Sequence, residues 1–212
     1  MRVIAIDGPA GAGKSTIARA LAAQLRLEYL DTGAMYRAVT FAALRRGVQL
    51  TDADAVTALA QEATIEVDER GVLVDGVDAT AAIRTPEITA AVSAVAANSG
   101  VRAELRSRQR AWAAQRGGGV IEGRDIGSVV FPEAELKLYL TASPRVRAER
   151  RVAEAGGDVD EIEDSIARRD QHDSSRADSP LTEADGAITV DTTGLSIDQV
   201  LAVIEGLLQE ST

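Results

Sequence analysis

The 212 residues contain no cysteine. That excludes disulfides, thiolate nucleophiles and Cys-ligated metals. The single histidine, His172, leaves no histidine-rich metal site. Lysine is almost missing too: of 23 basic residues, all but Lys14 and Lys137 are arginine. With so few lysines there is no guanine-reading N-K-x-D, which argues against a GTP-binding switch. No apolar run approaches the ~18 residues of a membrane helix. The apolar N-terminal stretch enters a glycine-rich loop and not a cleavage site, so it reads as a strand and not a signal peptide. Positive charge is in deficit overall. The net charge of −10 argues against a general nucleic-acid binder and against a nucleic-acid-dependent ATPase. Internal repeats and low-complexity linkers are absent as well. What remains is an ordinary globular composition, 45% apolar and 26% charged, with a core large enough for one domain. A cytoplasmic monomer without membrane or nucleic-acid partners is the expectation. GC-rich coding is one source of the arginine bias. Arginine is also the residue that grips phosphate bidentately, so an acidic chain with arginines gathered in one cleft suits a small anionic substrate.

The chain is organised around Gly8-Pro9-Ala10-Gly11-Ala12-Gly13-Lys14-Ser15, which fits G-x-x-x-x-G-K-[ST]. A β-type run, Arg2 to Asp7, precedes it. Ile17, Leu21 and Leu25 follow at helical spacing. This strand–loop–helix context marks a phosphate-binding loop. Consecutive backbone N–H groups wrap a polyphosphate, so the loop must bend tightly without inward side chains, which glycine permits. The helix N-terminus adds unpaired donors and partial positive charge. Lys14 supplies a point charge for the β- and γ-phosphates, and Ser15 a hydroxyl for Mg²⁺. Residues Gly8 to Thr16 are therefore the expected ATP site. A dinucleotide-type turn is disfavoured, because G-x-G-x-x-G is absent.

Further along, Glu28 to Asp31 reads as a strand and Ala34 to Arg46 as a helix ended by Gly47. Thr51-Asp52 caps a helix to about Glu62. Residues 64–67 and 72–75 flank Asp68-Glu69-Arg70-Gly71 as a β-hairpin. Residues 79–116 are helical with a break near Asn98-Ser99-Gly100. Gly119 to Glu122 and Leu136 to Leu140 read as buried parallel strands. Ser143-Pro144 starts a helix that Gly156-Gly157 breaks. An acidic stretch, Asp158 to Asp164, leads into a helix carrying Arg168 to about Arg176, and Gly156 to Asp164 reads as a flexible segment of an arginine-bearing flap between the two helices. Ala187 to Asp191 is the last strand and Ser196 to Glu210 the last helix. The alternation predicts a P-loop-type, doubly wound α/β sheet with its ligand cleft at the strands' carboxyl ends.

Several clusters are candidates for chemistry. Asp31 to Arg37 follows a strand and opens a helix, so Arg37 either reaches an acceptor phosphate or pairs with a carboxylate. Glu122 to Pro132 leaves another strand, and its Arg124-Asp125 pair lies between Gly123 and Gly127. The alternative there is a surface ion pair of little energetic weight. Arg169, Asp173 and Arg176 share one helical face, as do Arg147, Arg150 and Arg151. Solvated, ion-paired faces are the bland reading of both, and arginine-bearing elements that exclude water from a phosphoryl transfer the other. From the residues alone, Arg102, Arg106 and Arg110 read as an exposed basic stripe.

Taken together, these blocks resemble the bacterial cytidylate kinases. The resemblance covers essentially the whole chain. It rests on Ile6 to Ser15, Leu30 to Arg37, Ile83-Arg84-Thr85, Glu122 to Pro132 and Arg169 to Arg176 with Pro180-Leu181. It implies a core (about 1–50, 100–145 and 185–212), a nucleoside-monophosphate-binding insertion (about 50–99) enlarged by the hairpin, and a helical lid (about 146–180). The implied reaction is Mg-ATP-dependent phosphoryl transfer to CMP or dCMP. Position by position, the resemblance places Thr32, Arg102 and Asp125 against the cytosine, with Arg176 beside them. It places Ser93, Arg169 and Asp173 against the pentose, and Arg37 and Arg124 on the CMP phosphate. Cytosine presents acceptors at N3 and O2 and a donor at N4, a pattern that Arg102 with Asp125 or Thr32 complements. Two departures stand out. Asn98-Ser99-Gly100 replaces a stretch that often carries proline in the family, and the lid is short and acidic.

The expected mechanism is in-line transfer to a phosphate oxygen already anionic at neutral pH, so no general base is required. Lys14, Arg37 and Arg124 would carry it by positioning and neutralisation. Arg147 and Arg151 are candidates for the lid arginine, and Asp31 for orienting a metal-bound water. Another small P-loop kinase, acting on a different nucleotide or on a metabolite such as shikimate, is the rival. The cytosine-reading set argues against it.

Overall fold

The computed structural model describes residues 1–68 and 70–210. Glu69 of the expected turn and residues 211–212 lie outside the described residues. In chain order the elements are β1 (Arg2–Asp7), α1 (Lys14–Leu25), β2 (Tyr29–Asp31), α2 (Thr32–Arg45), α3 (Ala53–Glu62), β3 (Ile65–Asp68), β4 (Gly71–Val74) and β5 (Val77–Asp78). A 3-10 turn (Ala82–Arg84) leads to α4 (Pro86–Ala97), α5 (Ser99–Arg116) and β6 (Gly118–Glu122). A π turn (Ile126–Val130) leads to β7 (Leu136–Thr141), α6 (Pro144–Ala155), α7 (Val159–Ser174), β8 (Ile188–Asp191) and α8 (Ile197–Glu210). The chain forms two compact units, residues 1–28 with 117–212, and residues 29–116.

In the first unit, strands run in the order β6-β1-β7-β8, all parallel. β1 and β6 are almost wholly buried, which is why they read as continuous apolar runs and not as alternating ones. Strand order reverses beside β1, so the loop after it lies at the topological switch point. Gly8, the first residue past β1, has φ 144°, and a Cβ there would stand 2.0 Å from the Leu140 carbonyl oxygen. Only glycine fits so close to β7. Helices α6 and α7 pack on each other and on the phosphate loop through Ala10, Ala148 and Ile166.

The flexible segment expected over Gly156 to Asp164 is mostly helix. Asp158 is the N-cap of α7, and its carboxylate accepts from the N–H groups of Asp160 and Glu161. Residues 159–164 are therefore the first turns of a helix. Acidic side chains favour that end because they oppose the positive end of the helix dipole. Only Gly156-Gly157, both at positive φ, separate α6 from the cap.

In the second unit, α2 packs on α4 and α3 on α5. The hairpin forms as expected, with β3 antiparallel to β4, and β5 extends it to three strands. The expected break near residues 98–100 narrows to Asn98, whose side-chain oxygen accepts from Gly100 and Val101 N–H and caps α5. Among the described residues no helix is long and apolar enough to cross a membrane.

Candidate active site

The phosphate loop is braced from behind. The Ala10 N–H donates to Asp170 at 3.2 Å, and Arg147 donates to the Ala10 carbonyl at 3.1 Å while ion-pairing with Asp170. The Thr192 hydroxyl, with one proton to give, lies 3.3 Å from the Ala12 carbonyl and 3.0 Å from the Thr141 carbonyl. Arg147 is buried and also bonds the Ala142 carbonyl. It is thus a strut of the loop, not a solvated residue. Arg150 is likewise committed, to the Thr192 hydroxyl and carbonyl. Arg151 pairs with the exposed Glu154 at 2.9 Å.

Lys14 opens α1 and is buried. Its Nζ donates to the Pro9 carbonyl at 2.7 Å. Burial, and then the nearby Arg124, hold it well below the usual lysine range. Arg169 and Arg151 add to this and Glu122 opposes it. A buried ammonium among guanidiniums creates strong positive potential at the loop. The Ser15 hydroxyl is half-buried at the helix start.

Arg124 is positioned by Asp173. Its Nε donates to Asp173 Oδ2 at 2.9 Å, and Arg176 ion-pairs with Oδ1 of the same carboxylate. Burial alone would raise the Asp173 pKa, but the Arg124 and Arg176 charges outweigh it and hold the carboxyl below its ordinary value. Arg176 stands two residues past the end of α7 and not on its face as expected. The chain turns back there and still delivers it to Asp173. Asp125 is buried at the start of the π turn. The first unit therefore brings Lys14, Arg124, Arg169, Asp173 and Arg176 into one electrostatic cluster.

The second unit carries the other candidates. Asp31 caps α2, its Oδ1 accepting from the Ala34 N–H at 2.8 Å and its Oδ2 from Arg84 at 2.9 Å. Oδ1 serves the helix start, where Thr32 is buried, and Oδ2 ties it to the 3-10 turn. Arg37, one turn into α2, donates to the Ile83 carbonyl at 3.1 Å and to Thr89 Oγ1 at 2.9 Å. Ser93 lies one turn beyond Thr89 on α4, half-buried. Arg102 overturns the basic-stripe reading: it is 1% exposed, donates to the Ala96 carbonyl at 3.1 Å, and lies 5.5 Å from the Tyr36 ring centroid. Of the three, Arg106 is half-buried and Arg110 exposed. Four-residue spacing is equally compatible with an inward face, and for Arg102 the π face of Tyr36 compensates part of the burial.

The residues missed from sequence are the supporting ones: Asp7, Arg84, Thr89, Asp170 and Thr192. Asp7 had a signal, an acidic residue ending a buried strand directly before the loop. The others touch partners distant in the chain, which no local pattern shows. Among the described residues no three His, Cys, Asp or Glu side chains gather as a metal cage. At the phosphate loop the Ser15 hydroxyl is a protein oxygen that could ligate a hard divalent cation.

Residues 4–210 match the model of the cytidylate kinase family. A cytidylate kinase of Desulforamulus reducens is 50% identical over 208 residues, which take in 94% of this chain and 93% of that protein. One from Streptomyces avermitilis is 45% identical over 214 residues, 98% of this chain and 93% of that protein. A bifunctional pantoate ligase/cytidylate kinase of Synechococcus sp. (strain JA-2-3B'a(2-13)) is 50% identical over 99% of this chain, but the chain spans only 41% of that longer protein. In fold, the chain is similar to a gluconokinase from Sinorhizobium meliloti, with a TM-score of 0.50 and 14% identity over 99% of this chain and 94% of that one. An uncharacterized protein from Eubacterium ventriosum gives a TM-score of 0.54 at 10% identity, covering 99% of both chains. The two structures speak to the fold alone. The sequence match spans the phosphate loop, the Arg124-Asp125 segment and Arg169 to Arg176 alike, and on that match the chain belongs to the cytidylate kinase family.

Proposed function

We propose that this protein transfers the γ-phosphoryl group of ATP to CMP or dCMP, giving CDP or dCDP. The observation that carries the reading is the cluster at the phosphate loop, where Lys14, Arg124 and Arg169 lie close enough to weaken proton binding at Lys14. Gathering cations in a chain of net charge −10 makes sense where two phosphorylated ligands must approach each other.

The loop from Gly8 to Thr16 holds the ATP phosphates through backbone N–H groups other than Pro9, which has none, and Ala10, whose N–H is given to Asp170. Lys14 leaves the Pro9 carbonyl for the β- and γ-oxygens. The Ser15 hydroxyl would hold Mg²⁺, which when bound supplies charge neutralisation between the phosphates. Arg37 and Arg124 hold the CMP phosphate and offset its repulsion of the γ-phosphoryl group. The attacking oxygen is already anionic, so positioning and electrostatics suffice. Arg102, Asp125 and Thr32, with Arg176, read the cytosine, while Ser93, Arg169 and Asp173 hold the pentose. An arginine aimed at N3 meets an acceptor in cytosine and a donor in uracil, and each mispaired buried group costs about 1–3 kcal/mol. Helices α6 and α7 act as the lid, with Arg151 the arginine left to reach the transferred group. The hairpin enlarges the monophosphate-binding region.

The test is ADP release from Mg-ATP with CMP, dCMP, UMP, AMP and dTMP in parallel. Strong turnover with CMP and dCMP and little with UMP is expected. Equal turnover with UMP removes the cytosine-reading roles. No turnover with any of the five overturns the nucleotide-kinase reading.

A further inference from the structure

Asp7 ends β1 immediately before the phosphate loop, and none of the roles above uses its side chain. It is 4% exposed. Its Oδ1 accepts the Ile126 N–H at 2.9 Å and its Oδ2 the Gly127 N–H at 2.7 Å. Those two amides open the π turn that begins at Asp125. The Asp125 carbonyl closes the turn by accepting from the Val129 and Val130 N–H groups at 2.9 and 3.1 Å. Asp125 makes no capping bond with its own side chain. Asp7 is therefore the cap of this turn, supplied from another strand. Its backbone is held in the sheet, where Asp7 pairs with Tyr139 of β7.

Burial pushes the Asp7 pKa up to about 6, with Asp125 adding to the rise while the two backbone N–H groups and Lys14 oppose it. The other titratable groups at this strand end are Glu122, paired with Ile6 on β6, and Tyr139, paired with Asp7 on β7. A carboxyl raised in this way favours the fold most fully below about pH 4, and that contribution is lost as the pH rises through about 6. At neutral pH ionised Asp7 is a net burden on folding, while both its oxygens are spent on the Arg124-Asp125 segment.

We propose that Asp7 is a positioning residue that holds the Arg124-Asp125 segment in register with the phosphate loop, and so aligns the acceptor CMP with the γ-phosphoryl group. This rests on the CMP kinase reading above. Asp7→Asn tests it at neutral pH, since Asn keeps the shape and one acceptor but turns an NH₂ toward the second backbone N–H. The variant is expected to raise KM for CMP roughly tenfold or more and to narrow the CMP-over-UMP preference, with KM for ATP within about twofold of wild type. An unchanged KM for CMP, or equal rises for CMP and ATP, overturns the positioning role while leaving the kinase reading intact. A wild-type protein inactive with CMP overturns the kinase reading, and this inference with it, before the variant is assayed. Should the variant not fold, amide exchange in the wild type decides. A local opening that moves the turn away while Asp7 stays buried takes from the carboxyl the two N–H groups that favour its charge. Protonation therefore favours that opening even though it favours the global fold. Protection of Ile126 and Gly127, corrected for intrinsic rates and compared with Val120, is expected to fall about tenfold or more between neutral pH and about pH 5. Equal protection at both overturns the proposal.

Discussion

Asp173 accepts from Arg124 Nε at 2.9 Å, so a carboxylate near the end of α7 aims a guanidinium that leaves β6. Arg176 ion-pairs with the same carboxylate. One buried anion thereby orders two cations that would otherwise repel each other.

Replacing Asp173 with Asn should be costly at neutral pH. Breaking a buried pair leaves uncompensated charge, here on the order of 3 kcal/mol. The Asp173 pKa lies below its ordinary value, because the Arg124 and Arg176 charges overcome the effect of burial. Its contribution is therefore present above about pH 4, the unfolded value, and is lost as the pH falls through the lower folded one. Urea unfolding of wild type and Asp173→Asn as a function of pH is expected to show a gap that shrinks below about pH 4. A gap independent of pH would mean that packing, not charge, holds the site.

Lys14 separates stability from catalysis. Its pKa is held well below the lysine range, first by burial and then by Arg124, so the charged form is a burden on the fold at neutral pH. Lys14→Met is expected to leave the melting temperature equal or higher. Its kcat should fall by about 10³-fold or more, in the range of a lost transition-state charge contact. A marked drop in melting temperature would show that the Nζ–Pro9 bond matters more to the fold than relief of the buried charge.

Arg102 offers a test of base reading. Arg102→Met fills similar volume and removes the cation that rests on Tyr36. The ratio of kcat/KM for CMP to that for UMP is expected to fall about 5–150-fold, the equivalent of about 1–3 kcal/mol. Equal losses for the two acceptors would make Arg102 a structural residue of the second unit.

The phosphate loop was legible because its chemistry is local: eight consecutive residues, a strand before and a helix after. The starts of α3 and α6 were legible for the same reason, since Asp52 and Ser143 accept backbone N–H bonds there. The helix expected from residue 79 begins only at Pro86, behind the Thr85 cap and a 3-10 turn. The hairpin followed from two short β-type runs around a turn. The family blocks supplied the substrate reading, since their residue types and order survive in one dimension.

Other features depended on what the chain meets far from itself. Arg102 and Arg110 are spaced alike, yet one is buried against Tyr36 and the other faces solvent, because burial depends on which side of α5 is covered. Arg147 and Arg151 lie one turn apart, yet one braces Ala10 and the other pairs with Glu154. Asp7 reaches a turn 119 residues away. The sequence by itself determined the loop, the alternation of strands and helices, and the family. Only the tertiary structure decided which charged side chains are buried, because the partner that compensates a buried charge is brought by folding, not by sequence neighbours.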